Sequence, residues 1–175
     1  NDTYLVDQNA CSSPHLVVWL GKNMLKARSK FWTSLYHLIK KKYNMPEIAS
    51  IDKYNNLCEA ALKYKNLKKH EKYGNLIYTV ILKNLDKNLD SQRGKWGFFY
   101  EYNAKNLNEI SKWINNKYQT LTYFGLEKKS LKSFVLNNKL SGIDRIVPIG
   151  QGLEISLYWD GYDINKTLSR VVDIK

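Results

Sequence analysis

Apolar residues fall into short runs separated by polar turns, and into longer stretches at helical spacing. His15 to Leu20 is a compact apolar run between Pro14 and Gly21, and its length and β-branched content predict a buried strand. From Met24 to about Tyr43 apolar residues recur at 24, 27, 31, 35, 38 and 39, the signature of an amphipathic helix with a lysine-rich outer face. Pro46 suits the first turn of a second helix, whose expected apolar stripe is Ile48, Ile51, Leu57, Cys58, Ala61 and Leu62. Residues 66–75 are polar up to Gly74 and predict a loop. Strands are expected over Leu76–Leu82 and Gly97–Tyr102.

Further on, Leu107, Ile110 and Ile114 sit at helical spacing within Asn106–Asn116. Thr120–Phe124 predicts a short strand, Lys128–Asn137 a helix, Arg145–Ile149 a strand and Asp163–Val171 a last short helix that Asp163 caps. Strands alternating with helices predict an α/β fold, a layered and mostly parallel sheet flanked by helices. No Gly-x-Gly-x-x-Gly follows any strand, so no dinucleotide fingerprint is visible.

Composition narrows this further. The 175 residues suit one domain, and 43% hydrophobic residues with thirteen tyrosines and five tryptophans predict a folded chain. No apolar run approaches the ~20 residues that span a bilayer. No leader is visible, and a start on Asn1 is what a segment cut from a longer chain would show. Two cysteines are too few for a disulfide framework, which predicts free thiols in a reducing, cytoplasmic setting. The net charge of +12 comes from scattered lysines, with only short runs such as Lys40–Lys42. A basic nucleic-acid or protein-binding domain is the competing reading of that charge, but no zinc-finger spacing, RNP-like motif or long basic block accompanies it.

The segment with chemical content is Asp7–Pro14, DQNACSSP, where Cys11 stands in a small, polar loop just before a strand. Backbone N–H groups in such a loop can favour a thiolate and also hold an oxyanion on a bound carbonyl. Cys58, on an apolar helical stripe, is expected to pack in the core. The second notable segment is GIDRIVPIG at Gly142–Gly150, followed by WDGYD at Trp159–Asp163 and LSR at Leu168–Arg170.

Asn1–Pro14, NDTYLVDQNACSSP, resembles the nucleophile segment of LuxC-type acyl-CoA reductases, and Gly142–Gly150 with its downstream motifs is similar to that family's C-terminal signature. The intervening hundred or so residues match only in their α/β alternation. The resemblance implies the aldehyde dehydrogenase superfamily fold. Residues 1–150 would be the catalytic domain and 151–175 a C-terminal tail or arm, with the dinucleotide-binding domain upstream. It implies NADPH-dependent reduction of a long-chain acyl group, from acyl-CoA or acyl-protein, to a fatty aldehyde. It further implies acyl-protein synthetase and acyltransferase partners, a homo-oligomer in the full-length protein and, in luminous bacteria, a link to bioluminescence. Neither nucleic acid nor a membrane span is expected.

On this resemblance Cys11 is the acyl-accepting nucleophile. The backbone N–H groups of Cys11 and Ser12 are oxyanion donors, and Asn9 positions the acyl oxygen. Aldehyde dehydrogenases also use a glutamate base upstream of the cysteine, which would precede Asn1. Glu101, in Phe98–Tyr102, is the candidate for their nicotinamide-ribose glutamate, although the motif around it differs. His15 is close enough in sequence to raise the thiolate fraction.

Overall fold

The computed structural model describes residues 1–175. Strand β1 (Leu16–Trp19) leads through Gly21, at φ +90°, into helix α1 (Met24–Lys42). Lys40, Lys41 and Lys42 close α1, where cations oppose the negative end of the helix dipole. Helix α2 (Ile48–Lys63) and strand β2 (Leu67–Tyr73) follow, then β3 (Ile77–Leu82) and β4 (Phe98–Asn103). The main sheet has the order β1-β4-β3-β2, with β1, β4 and β3 parallel and β2 antiparallel at one edge.

Alternation along β3 and β4 sends side chains to two layers. Tyr78, Val80, Leu82, Phe98, Tyr100 and Tyr102 join Leu57, Ala60 and Tyr64 in the larger core, under α2. Ile77 and Phe99 face the other way and meet Trp32 and Ile39 of α1. The chain is therefore an α/β fold with helices on both faces of a mixed sheet.

Helix α3 (Asn108–Ser111), strand β5 (Thr120–Tyr123), helix α4 (Lys128–Asn137) and strand β6 (Arg145–Pro148) come next. β5 and β6 form a separate two-stranded parallel sheet, so the expected single layer is divided. Ile110 and Phe134 carry this unit onto the larger core. A hairpin of β7 (Tyr158–Trp159) and β8 (Tyr162–Asp163) turns at Gly161, φ +80°, and ends in helix α5 (Ile164–Leu168). Asp163 caps α5 by accepting the Lys166 N–H at 3.2 Å. Most of the segment beyond Gly152 is exposed, though the Trp159 ring lies beneath the Arg145 guanidinium, 4.8 Å away.

Four expectations change. Residues 67–73 are strand β2, not loop; its exposed lysines are those of a guarded sheet edge. The helix expected over 106–116 is regular only over 108–111. It continues as i→i+3 turns, because Gly142 packs directly on the Asn115 carbonyl. The stripe of α2 is out of phase: Ala49, Lys53, Leu57 and Ala60 face inward, and of the expected stripe only Leu57 is buried. Cys58 is accordingly exposed, as is Cys11, and both thiols are free.

At the interface of α1 with the sheet sits a buried ion pair. Glu101, wholly buried, accepts from Arg28 at both oxygens (2.7 Å each) and from the indole N–H groups of Trp19 (2.6 Å) and Trp32 (2.9 Å). A second Arg28 arm reaches Glu71 at 2.9 Å. Such a pair owes its standing to complete satisfaction, because each charge alone would be costly to bury.

Candidate active site

Cys11 lies in a tightly turned N-terminal loop whose geometry is set by its neighbours. Asp7 and Gln8 take left-handed φ values of +52° and +61°, which reverse the chain. Gln8, 1% exposed, supplies four hydrogen bonds. Its amide N–H groups donate to the carbonyls of Pro14 and Phe98 (2.8 Å each). Its carbonyl oxygen accepts from the N–H groups of Gly97 and Phe98 (3.0 Å each). One side chain thus closes the loop around Cys11 and fixes it to the start of β4. The Trp96 N–H adds a bond to the Asp7 carbonyl, and Tyr43 donates to the Asp7 carboxylate at 2.6 Å.

A second anchor joins the two ends of the chain. The buried Asp2 carboxylate accepts the N–H groups of Gly150 (2.7 Å) and Gly152 (2.9 Å), while Ser13 donates to the Asp2 carbonyl at 3.0 Å. Arg145 of β6 in turn holds the Gly152 and Gln151 carbonyls. A Cβ at Gly152 would stand 3.1 Å from the Asp2 carboxyl carbon, so only glycine allows this approach without displacement. The two tracts that stood apart in the sequence therefore meet.

Between the main sheet and the β5–β6 unit runs a cleft of about 390 Å³, and Cys11 and Ser12 are part of its wall. Its apolar lining includes Leu16, Val18, Leu89, Ile110, Ile114 and Leu121; Arg93 brings positive charge to it, while Lys117 pairs with Asp90 at 3.4 Å. Arg93 also donates to the carbonyls of Ala10 (3.1 Å) and Cys11 (3.3 Å), bracing the loop from outside. The backbone N–H groups of Cys11 and Ser12 have no acceptor within the chain. A thiol, two free amide donors and an apolar trough thus stand together. Another hollow, of about 400 Å³, opens where β3 and β4 end, beside Lys68 and Lys83, and is lined by no cysteine.

His15 lines the Cys11 cleft with both ring nitrogens buried and without partners. Burial, aided by the nearby Arg93 charge, pulls its pKa down to about 4, so it is neutral at pH 7. His15 therefore brings no positive charge to the Cys11 loop at pH 7.

Asn9 is exposed and donates its side-chain amide to the Asp7 carbonyl at 3.2 Å, holding the turn, and it is not part of the cleft wall. Glu101 projects to the α1 face of the sheet, away from the cleft, with both oxygens engaged. The structure thus groups Cys11 with Ser12 and leaves Asn9 and Glu101 outside. Sequence reading missed Gln8 and Asp2, whose partners lie some 90 and 150 positions away. The glycines at 150 and 152 were the one available signal of a close backbone approach. No family model matches this chain, and no curated protein matches it.

Proposed function

We propose that this chain performs the acyl-transfer step of an NADPH-dependent acyl reductase, with Cys11 as acyl acceptor. The observation that carries the reading is the placement of an exposed Cys11 in the wall of a partly apolar cleft, with the N–H groups of Cys11 and Ser12 free. The resemblance of Asn1–Pro14 and Gly142–Gly150 to LuxC-type reductases supports it, and the Asp2 anchor joining those tracts agrees with it.

In this step the Cys11 thiolate attacks the carbonyl carbon of an acyl thioester. A carbon–sulfur bond forms, and the displaced electron pair moves to the carbonyl oxygen, which the Cys11 and Ser12 N–H groups receive. Collapse breaks the bond to the donor sulfur, which leaves as a thiolate and takes up a proton. Arg93 attracts a phosphate-bearing donor, and the apolar walls accept the aliphatic chain.

NADPH would supply the hydride that reduces the thioester to the aldehyde. Glu101 is committed to Arg28 and the indoles of Trp19 and Trp32, so hydride transfer is not placed on it.

Chain-length dependence tests the reading. Long-chain acyl-CoA should acylate Cys11 faster than acetyl-CoA, and Ile114→Trp, which fills the cleft, should abolish that preference while preserving the acetyl rate. Equal rates for both donors on the parent chain would remove the cleft from the account.

A further inference from the structure

Among the inward-facing residues of α2 one carries an amine: Lys53 is wholly buried beside Ala49, Leu57 and Ala60. No carboxylate pairs with it. Its Nζ donates to the carbonyls of Asn75 and Trp96, the latter at 3.0 Å, meets the Met45 sulfur at 3.2 Å and lies 5.1 Å from the centre of the Tyr78 ring. The charged and titratable groups on the elements around it are Tyr78 of β3, Lys72 of β2, which lies over the same ring at 4.7 Å, and the Asp7–Tyr43 pair, one hydrogen bond beyond Trp96. A lysine so deeply buried without a counter-ion is rare, because its charge is costly to remove from water.

What Lys53 holds is the approach to the Cys11 loop. Trp96 takes a left-handed φ of +62°, which a residue with a side chain keeps only where its surroundings fix it. Its backbone is held from two sides: the N–H donates to the Asp7 carbonyl at 3.2 Å, and the carbonyl accepts from Lys53. The next N–H groups along the chain, those of Gly97 and Phe98, bind the Gln8 side chain. Lys53 therefore stands directly behind the clamp that closes the loop and sets out the Cys11 and Ser12 N–H groups.

We propose that Lys53 is a positioning residue for Cys11: acting through Trp96, it holds the Asp7–Gln8 turn, and whether its amine is neutral or protonated sets how firmly the loop stays closed. This role rests on Cys11 being the reactive thiol, while the effect on the loop is read without any acyl donor. The direction follows from burial, which pulls the Lys53 pKa from 10.5 down to about 7. Above pH 7 the closed form holds a neutral amine, which keeps an N–H for each carbonyl. When the Trp96 segment opens, water reaches the amine and it takes up a proton. One proton gained per opening makes opening about tenfold rarer for each pH unit, up to the ordinary lysine value. Below pH 7 both forms are protonated and the dependence ends. There the loop is at its loosest, because the closed form must bury a cation.

Amide hydrogen exchange followed by NMR tests this on the intact chain. After correction for the intrinsic exchange rate, protection of the Trp96, Gly97 and Gln8 amides should be flat below pH 7 and rise about tenfold per unit from about pH 7 to about pH 9. The Ile149 amide, bonded to Tyr123 in the β5–β6 sheet, should show no such rise, since its local opening leaves Lys53 buried. The Lys53 Cε resonance should titrate with a midpoint near 7. Lys53→Met should remove the rise at all the loop amides. The profiles of the parent chain decide the matter even where Lys53→Met fails to fold. Loop protection that ignores pH, a rise at Trp96 that does not reach Gln8, an equal rise at Ile149, or a rise that survives in Lys53→Met would each overturn the proposal. A blank in acylation with these profiles intact would overturn the acyl reading and leave the coupling standing.

Discussion

Replacing Gln8 with leucine keeps nearly the same volume and removes every polar contact that closes the Cys11 loop. The structure shows what is left behind. The Gly97 N–H, the Phe98 N–H, and the Pro14 and Phe98 carbonyls each lose a partner at 2.8–3.0 Å. A buried backbone group without a partner costs about 1–3 kcal/mol. With water reaching about half of the four after loop relaxation, the net loss is about 2–6 kcal/mol, a large share of the 5–15 kcal/mol typical of a domain. Urea unfolding followed by circular dichroism reads that loss as a lower midpoint with an unchanged slope. Alkylation with iodoacetamide, followed by peptide mass spectrometry, reads the local effect, with exposed Cys58 on α2 as internal reference. The Cys11 rate should change and the Cys58 rate should not. A stability loss below about 1 kcal/mol, or equal changes at both thiols, would refute the claim that Gln8 holds the loop.

Other predictions follow from the same accounting. Glu101→Leu leaves Arg28 charged and half-stranded in the core and should cost about 3–5 kcal/mol, whereas Arg28→Met with Glu101→Leu should recover most of it; a double-mutant cycle in urea checks the recovery. Lys53, wholly buried, donates to the Asn75 and Trp96 carbonyls, and burial pulls its pKa down to about 7. The folded state therefore binds its proton less tightly than the unfolded state. The stability owed to Lys53 is full above its unfolded value near 10.5 and is lost as pH falls through 7. Lys53→Met should flatten that rise between pH 7 and 10.5, as read from melting temperatures across the range. Asp2→Ala removes two charge-assisted bonds and should cost about 2–4 kcal/mol, and hydrogen exchange should speed up at the Gly150 and Gly152 amides before it does so in β4.

Local pattern was enough for the strands and helices with strong apolar signals. Run length with β-branched or aromatic content located β1, β3, β4 and β5, of which β3 and β4 are buried on both faces, and helical spacing located α1 and α4, which bury one face. Strand β2 escaped because its side chains are those of an edge, with lysines pointing outward while the backbone is held by β3. Helix α2 was found but turned the wrong way. Its more apolar stripe faces solvent, and a buried lysine, Lys53, occupies the inward one where two loop carbonyls receive it. At the site, the loop character of Cys11 was legible from its small, polar neighbours. What holds that loop was not, since Gln8 and Asp2 act on residues at the other side of the chain's folding path. A glutamate in an aromatic strand suggested a ligand contact at Glu101, and the sequence did not show that Arg28 and the indoles of Trp19 and Trp32, from α1 and β1, would occupy its carboxylate.

The central claim is that Cys11 accepts an acyl group, and intact mass measurement tests it most directly. After incubation with a long-chain acyl-CoA, the chain should gain one acyl mass that hydroxylamine removes, and Cys11→Ala should gain none. An equal adduct on Cys11→Ala, or no adduct on a folded chain given several acyl donors, would contradict the account.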